Sequence, residues 1–395
     1  MKFFTIILTV LIAIATTTNA QWQQTNCSHS GRVNCFTASG TNIFAGIENE
    51  GVLLSTDNGV NWTAMNTGLT NFGVRSLVVS GTDIFAGTAG SGVFLSTNNG
   101  ASWTAVNTGF TSDDVRSMAV SVTNIFAGTY SAGVFLSTNN GGNWTAVNTG
   151  LTNTSISSFA VCGSNIFVGT NGGGVFLSTD NGTNWTAVNT GITNMDIYSL
   201  AVIGTDIFVA TQGGGVFLST NNGGNWTAVN TGLTFNYVTS LVVSGTNIFA
   251  GTNGGGVFLS TNNGGNWTAV NSGFADTDVY SLEVCGTNIF AGNDTSGVWK
   301  RALSEITGIE DLPFLTNTIS VYPNPAYDII TVNTERNSNT DLTLSIFNVM
   351  GKLVKTEKLK QNQQQINIGN LTNGIYIIEI KSKECTERQK LIIQK

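Results

Sequence analysis

Seven phenylalanines recur at an interval of 41 residues: Phe44, Phe85, Phe126, Phe167, Phe208, Phe249 and Phe290, each inside a version of NIFAGT. Tryptophan keeps the same spacing at Trp62, Trp103, Trp144, Trp185, Trp226 and Trp267. Each of the first six units also holds four short apolar runs. In the unit that begins at Val74 they are Val74–Val79, Asp83–Thr88, Gly92–Thr97 and Trp103–Asn107, parted by Gly- and Asn-rich turns. Runs of this length are strand-sized, and Gly and Asn supply the backbone angles that tight reversals need. One four-stranded unit cannot bury both of its faces, so it must stack on copies of itself. A fixed period in the forties therefore predicts a β-propeller, one four-stranded blade per repeat.

The first three strands of the unit occur seven times, the last as VYSLEVC, NIFAG and SGVWKR, with Trp299 in the column of Phe258. No fourth strand follows. Its equivalent stands at the other end of the chain, where Gln21–Asn26 reads QWQQTN and resembles the NWTAVN of the repeats. The expected ring is thus seven-bladed over 21–301, closed by its own N-terminal strand, and closure leaves no free sheet edge. Composition then shifts toward Lys and Ile. After a linker over 302–318, strand candidates fall at Ile319–Tyr322, Ile329–Asn333, Leu342–Asn348, Lys352–Lys355, Gln365–Ile368, Ile375–Ile380 and Lys390–Gln394. Seven short strands in that span point to a small immunoglobulin-like β-sandwich over 319–395, making the whole chain all-β.

Charge and cysteine usage remove several function classes. Residues 21–301 hold five basic and thirteen acidic side chains. A surface so poor in Lys and Arg is a weak partner for phosphates, which argues against nucleic acid. MKFFTIILTVLIAIATTTNA reads as a secretory signal over 1–20 with cleavage before Gln21, and no later run is long enough to span a membrane. Five cysteines leave at least one unpaired. Cys27 and Cys35 are near enough to pair or to stay free; Cys162 and Cys285 share a repeat column three units apart and are expected to stay separate. With a single histidine, His29, and no ligand spacing, neither a metal, a cofactor nor a His-based triad is expected.

Two resemblances carry more. The turns between third and fourth strands read STDNGVNW and STDNGTNW, and in four other copies STNNGASW or STNNGGNW. They resemble the Asp box of bacterial neuraminidase repeats, sortilin, xyloglucanase-type hydrolases and a photosystem II assembly factor. The matching positions are Ser55, Asp57, Gly59 and Trp62, and Ser178, Asp180, Gly182 and Trp185. Four of the six copies replace the Asp by Asn, which keeps the local hydrogen bonding and drops the charge. The box implies a structural turn rather than a catalytic one. Further on, VYPNPAYDIITV, LSIFNVMGKLV, INIGNLTNGIYIIEI and the terminal KLIIQK resemble, in order, the C-terminal sorting domain of the type IX secretion system. That resemblance implies export across the outer membrane of a Bacteroidota-type bacterium, with the type IX machinery as a partner.

The seven copies can also be compared with one another. The turns after the first and third strands barely change. Variation gathers in the loops that join one repeat to the next (HSGR at His29–Arg32, then NFG, SDD, NTS, NMD, FNY and DTD). It gathers also in the loops between second and third strands, which carry Glu48 and Glu50, Ala89, Tyr130, Asn171, Gln212, Asn253 and Asp294. In an antiparallel meander both loop sets emerge on one face, where recognition is normally placed. The candidate binding residues there are Arg75, Asp113, Asp114, Arg116, Tyr130, Asp196, Tyr198, Gln212, Phe235, Tyr237, Asp276, Asp278, Tyr280 and Asp294. Aromatic rings would stack, and acids and amides would meet hydroxyls, which suits a glycan or a cell-envelope partner. The alternatives are freely drifting loops and a glycoside hydrolase, sialidase-like through Arg32, Arg75 and Arg116, or xyloglucanase-like through the acids of this face. The uniform repeats favour a non-catalytic protein, because a catalytic site breaks symmetry on one or two repeats.

Overall fold

A computed structural model describes residues 21–27, 31–307, 320–333, 342–348, 352–360, 363–381 and 386–394. The expected signal segment, most of the linker and His29 lie outside them. The chain divides into two compact units, with the break between Ile309 and Glu310.

In the first unit, seven four-stranded antiparallel sheets follow one another. The second is representative: Val74–Ser80, Asp83–Thr88, Val93–Ser96 and Thr104–Ala105. The first strand of each sheet packs beside the first strand of the next, and the last, Val279–Cys285, packs beside the first, Val33–Ser39, so the sheets close a ring. The seventh sheet orders Gln23–Gln24, Val298–Ala302, Asn288–Asn293 and Val279–Cys285, drawing its outer strand from the N-terminus. Second strands are buried almost throughout, with all seven repeat phenylalanines fully covered. Sheets approach so closely there that a Cβ at Gly87 would lie 2.6 Å from Val115 of the next sheet, which is why the column is nearly always glycine.

Tryptophan stitches neighbouring sheets. Trp103 donates its indole N–H to the carbonyl of Met65, one repeat back, at 2.7 Å. Trp144, Trp185, Trp226 and Trp267 repeat the bond to Val106, Val147, Val188 and Val229. Trp22 makes it to Val270, so the N-terminal segment occupies the fourth-strand position by the same contact as its column mates. Trp62 differs. It is only half-buried and donates to the Thr25 hydroxyl at 3.1 Å, because its preceding strand is the N-terminal segment itself. Fourth strands are shorter than their sequence runs: Thr104–Ala105 pairs within its sheet, while the Trp103 N–H bonds Thr67 of the preceding repeat and the Asn107 side chain accepts from Val93.

In the third turns, Ser55 donates to Asp57 at 2.9 Å and accepts from the Gly59 N–H, while Asp57 accepts from the Asn61 N–H at 2.8 Å. The Asn copies keep this pattern: Asn98 accepts from the Ser102 N–H and Asn139 from the Asn143 N–H. Hydrogen bonds from the Asn61 backbone and side chain hold the Asp57 carboxyl down at about 2, so it is ionised at any ordinary pH. Two consecutive residues here, Asn58 and Gly59, have positive φ, not the glycine alone.

The second unit contains a three-stranded sheet (Ser320–Tyr322, Ile329–Asn333, Gln363–Asn367) and a four-stranded one ordered Leu353–Leu359, Leu342–Asn348, Gly374–Lys381 and Thr386–Ile393. Ile330, Leu344, Ile346, Ile366 and Leu391 are fully buried in their shared core. The fourth strand of this unit extends past the expected Lys355 to Leu359, and the last begins at Thr386 rather than Lys390.

Candidate functional site

The two variable loop sets meet at one end of each sheet. Backbone bonds tie them: Glu48 N–H to Arg32, Ala89 to Gly73, Tyr130 to Asp114, Asn171 to Ser155, Gln212 to Asp196 and Asn253 to Tyr237, all at 2.8–3.0 Å. Side chains at the second position of each first strand (Asn34, Arg75, Arg116, Ser157, Tyr198, Thr239 and Tyr280) sit at the head of the strands that these loops feed.

The arginines do not form a free cationic cluster. Arg32 pairs with Asp294 at 3.1 Å, Arg75 with Glu48 at 3.3 Å, and Arg116 with both oxygens of Asp114 at 2.8 and 2.9 Å. Arg32 also covers the Tyr280 ring at 4.1 Å and Arg116 the Tyr130 ring at 4.6 Å. Each of these two rings therefore has one face covered by an arginine. Each arginine has its own acid, so a three-arginine carboxylate clamp is not assembled. Burial works against charge on Arg32, but the Asp294 bond and the attraction of Asp294, Tyr280 and Glu48 together outweigh it and hold the guanidinium protonated.

On the fifth to seventh sheets the face is aromatic. The Tyr198 and Tyr237 hydroxyls share a 2.7 Å hydrogen bond, with their ring centroids 5.4 Å apart, and Gln212 donates to Tyr237 at 3.3 Å. Asn253 donates to the Tyr280 hydroxyl. Phe235, 43% exposed, lies against Gly255. Burial, then the Tyr237 bond, pushes the Tyr198 phenol up; burial does the same to Tyr280, so neither offers a phenolate nucleophile near neutral pH. Among the acids, Asp276 caps the Asp278 N–H and accepts from Ser296, a loop-building role. The carboxylates of Asp113, Asp196 and Asp278 have no partner among the described residues. Asp113 and Asp278 stand on loops leading into the third and seventh sheets.

Cys27, Cys35, Cys162 and Cys285 are all free thiols, so Cys27 and Cys35 do not pair. No cluster of three or more His, Cys, Asp or Glu able to hold a metal occurs among the described residues. No described helix is long and apolar enough to cross a membrane.

One feature gave no signal in the sequence reading. Glu283, half-buried on the first strand of the seventh sheet, occupies the column of Val78, Ala119, Ala160, Ala201 and Val242. Loss of solvent raises its carboxyl to about 7. A column comparison would have found it, as the one acid among small apolar residues and Thr37.

A family model described as the DUF6242 beta propeller domain matches residues 8–125, 121–228 and 161–290, together most of the chain. The chain belongs to this β-propeller family. A second model, the secretion system C-terminal sorting domain, matches residues 320–394. It implies interaction with the type IX machinery and indicates a secreted or outer-surface protein of the Bacteroidota. A curated relative, an endo-acting ulvan lyase of Formosa agariphila, is 27% identical over 99 residues, which cover 25% of this chain and 19% of the lyase. The match thus spans about a fifth of that relative. Among solved structures, PorZ, an essential bacterial surface component of the type-IX secretion system of Porphyromonas gingivalis, is similar with a TM-score of 0.55. It is 14% identical, over 92% of this chain and 60% of PorZ. YCF48 from Cyanidioschyzon merolae is similar with a TM-score of 0.56 at 17% identity, over 72% of this chain and 98% of YCF48. At such identities these likenesses speak to fold alone.

Proposed function

We propose that this protein is a non-catalytic, secreted or cell-surface propeller that binds a glycan of the cell's surroundings or envelope through its variable loop face. In this reading residues 1–20 are a signal, 21–301 a seven-bladed Asp-box propeller, 302–318 a linker, and 319–395 an immunoglobulin-like sorting domain read by the type IX machinery. The observation that carries the binding role is the placement of variation. Near-identical sheets hold one set of turns constant, while the opposite loops carry Tyr130, Tyr198, Phe235 and Tyr237 with acids and amides beside them, on a backbone tied at six of the seven sheets. Rings fixed on a rigid scaffold bind sugars at low entropic cost.

The rival reading, a glycoside hydrolase, draws on the unpartnered carboxylates of Asp113, Asp196 and Asp278. The mature full-length chain, tested on a glycan array and in a reducing-sugar release assay, separates the two. Binding without turnover, weakened about five-fold by each of Tyr198→Ala and Tyr237→Ala, supports the binding role, since a lost stacking contact costs about 1 kcal/mol. Turnover abolished by Asp113→Asn or Asp278→Asn transfers the assignment to the hydrolase. Silence of every variant, with no glycan bound, ends the binding reading.

A further inference from the structure

The variable face is not uniform in charge. Its loops and strand heads carry eight acids (Glu48, Glu50, Asp113, Asp114, Asp196, Asp276, Asp278 and Asp294) against Arg32, Arg75 and Arg116. All three arginines are already paired. A uronate or sulfated sugar approaching this face would meet net negative charge and no free cation.

One place on the face has no charged side chain in its lining, with the Asp196 carboxylate beyond it, 3.7 Å from where a Cβ on Gly172 would stand. Where the third and fourth sheets adjoin, a depression of about 540 Å³ is lined by Tyr130 and by hydroxyl and amide side chains only. That volume is within the range of small-molecule sites, roughly 300–1,000 Å³. Its floor is fixed from within: Asn153 donates to the Asn171 carbonyl at 2.9 Å and accepts from the Ser155 N–H, and Thr154 donates to the Ser131 carbonyl at 3.0 Å. Among the described residues, the side-chain hydroxyls of Ser131, Thr152 and Ser155 and the side-chain amide of Asn171 make no hydrogen bond. Tyr130, 51% exposed, stands at the rim with its ring held by Arg116, itself fixed by both Asp114 oxygens. The strand-head residue of the fourth sheet is Ser157, the smallest of its column, between Arg116 and Tyr198.

We infer that this depression is the primary sugar subsite and that it takes a neutral pyranose, with Tyr130 against the ring and Asn171, Ser131, Thr152 and Ser155 on its hydroxyls. Unpartnered neutral donors and acceptors on a tied backbone suit sugar hydroxyls, which both give and accept hydrogen bonds. The inference rests on the glycan-binding reading and narrows it in two ways, to an uncharged sugar and to the junction of sheets three and four.

The test uses the mature full-length chain and titration calorimetry with cellohexaose, mannohexaose and laminarihexaose, against an oligogalacturonate of similar length. At least one neutral hexasaccharide should bind, and the oligogalacturonate should bind at least ten-fold more weakly at low salt. Asn171→Ala and Tyr130→Ala should each weaken the neutral ligand about five- to ten-fold. The paired Ser131→Ala and Thr152→Ala exchange, which leaves the backbone ties intact, should do likewise. Neutral binding lost on Tyr198→Ala and Tyr237→Ala but retained in the three pocket variants would overturn the subsite while leaving the glycan reading in place. Preference for oligogalacturonate would overturn the charge argument alone. No binding of any probe at millimolar concentration would overturn the subsite, and the array would then decide the broader reading.

Discussion

Val122 is the strained point of the ring, and its replacement offers a clean measure of how far repeat symmetry dictates sequence. It stands in the turn between the first and second strands of the third sheet with φ 59°. The same position in the other six repeats is Gly40, Gly81, Gly163, Gly204, Gly245 and Gly286, with φ between 58° and 64°. A Cβ placed at any of those glycines meets no atom within 4 Å, so space is not what selects glycine there. The backbone is. A left-handed conformation costs an L-residue about 1–2 kcal/mol, and a β-branched one stands at the unfavourable end. Val122 recovers nothing by burial, since it is 94% exposed. Val122→Gly should therefore stabilise, less the roughly 0.5–1 kcal/mol by which glycine's freedom favours the unfolded chain. The net gain is about 0.5–1 kcal/mol, or about 1–3 °C in Tm for a unit of this size. Val122→Asn should gain as much, because Asn tolerates this region without glycine's entropy. Gly163→Val is the reverse experiment and should lower Tm by a similar amount. Thermal melts followed by near-ultraviolet circular dichroism read all three. A Val122→Gly protein no more stable than the parent, together with a silent Gly163→Val, would refute the backbone argument.

Three other outcomes follow from the same structure. Glu283 has a carboxyl raised from 4.5 to about 7 by burial, so the folded state favours its protonated form. That contribution is complete below pH 4.5 and lost as pH rises through 7, on the order of 1–3 kcal/mol. Melts at pH 5 and pH 8 should differ more for the parent than for Glu283→Ala, and equal differences would exclude the carboxylate as the cause. Deleting Gln21–Asn26 removes buried Trp22 and the outer strand of the seventh sheet, and should lower Tm by several degrees, since losses of this kind cost several kcal/mol; an unchanged melt would deny the strand its closing role. In a host with a type IX system, the full chain should reach the surface or medium and a chain ending at Leu315 should remain periplasmic, as fractionation and immunoblotting would show. Equal export of both would remove the sorting role.

The ring was legible because its signals are local and repeated. The Phe of the second strand is fully buried in all seven repeats, and the Trp column, with Trp22 of QWQQTN standing in for the missing one, makes its bond to the preceding repeat six times. Chain ends of strands were less legible, since the fourth strand is cut short by bonds from Trp103 and Asn107 to partners that no pattern within the unit names. The face was legible as a place and not as chemistry. Sequence put Arg32, Arg75 and Arg116 on successive repeats, but Arg32 and Arg75 find Asp294 and Glu48 by reaching to the loop of the neighbouring sheet, while Arg116 pairs locally with Asp114.

That pairing also explains why a face with eight acids can be compatible with recognition of an uncharged ligand. Arg32 and Arg116 each hold an acid and a tyrosine ring together, so charge beside the first and third sheets becomes scaffolding for the Tyr280 and Tyr130 rings. On the fifth and sixth sheets the hydrogen bond between Tyr198 and Tyr237 does the equivalent work without charge. Between them lies the fourth sheet, whose strand head is a serine and whose loops on this face, at 153–155 and 171–173, carry no ionisable side chain. Exposed ion pairs of this kind add little stability, about 0–1 kcal/mol each, so their effect on fold energy is small and their effect on ring orientation is the larger one. Replacing Asp114 by Asn should accordingly leave Tm within about 1 °C while loosening Tyr130, which time-resolved tyrosine anisotropy would detect. A large loss of stability instead would show that the pair holds the loop and not the ring.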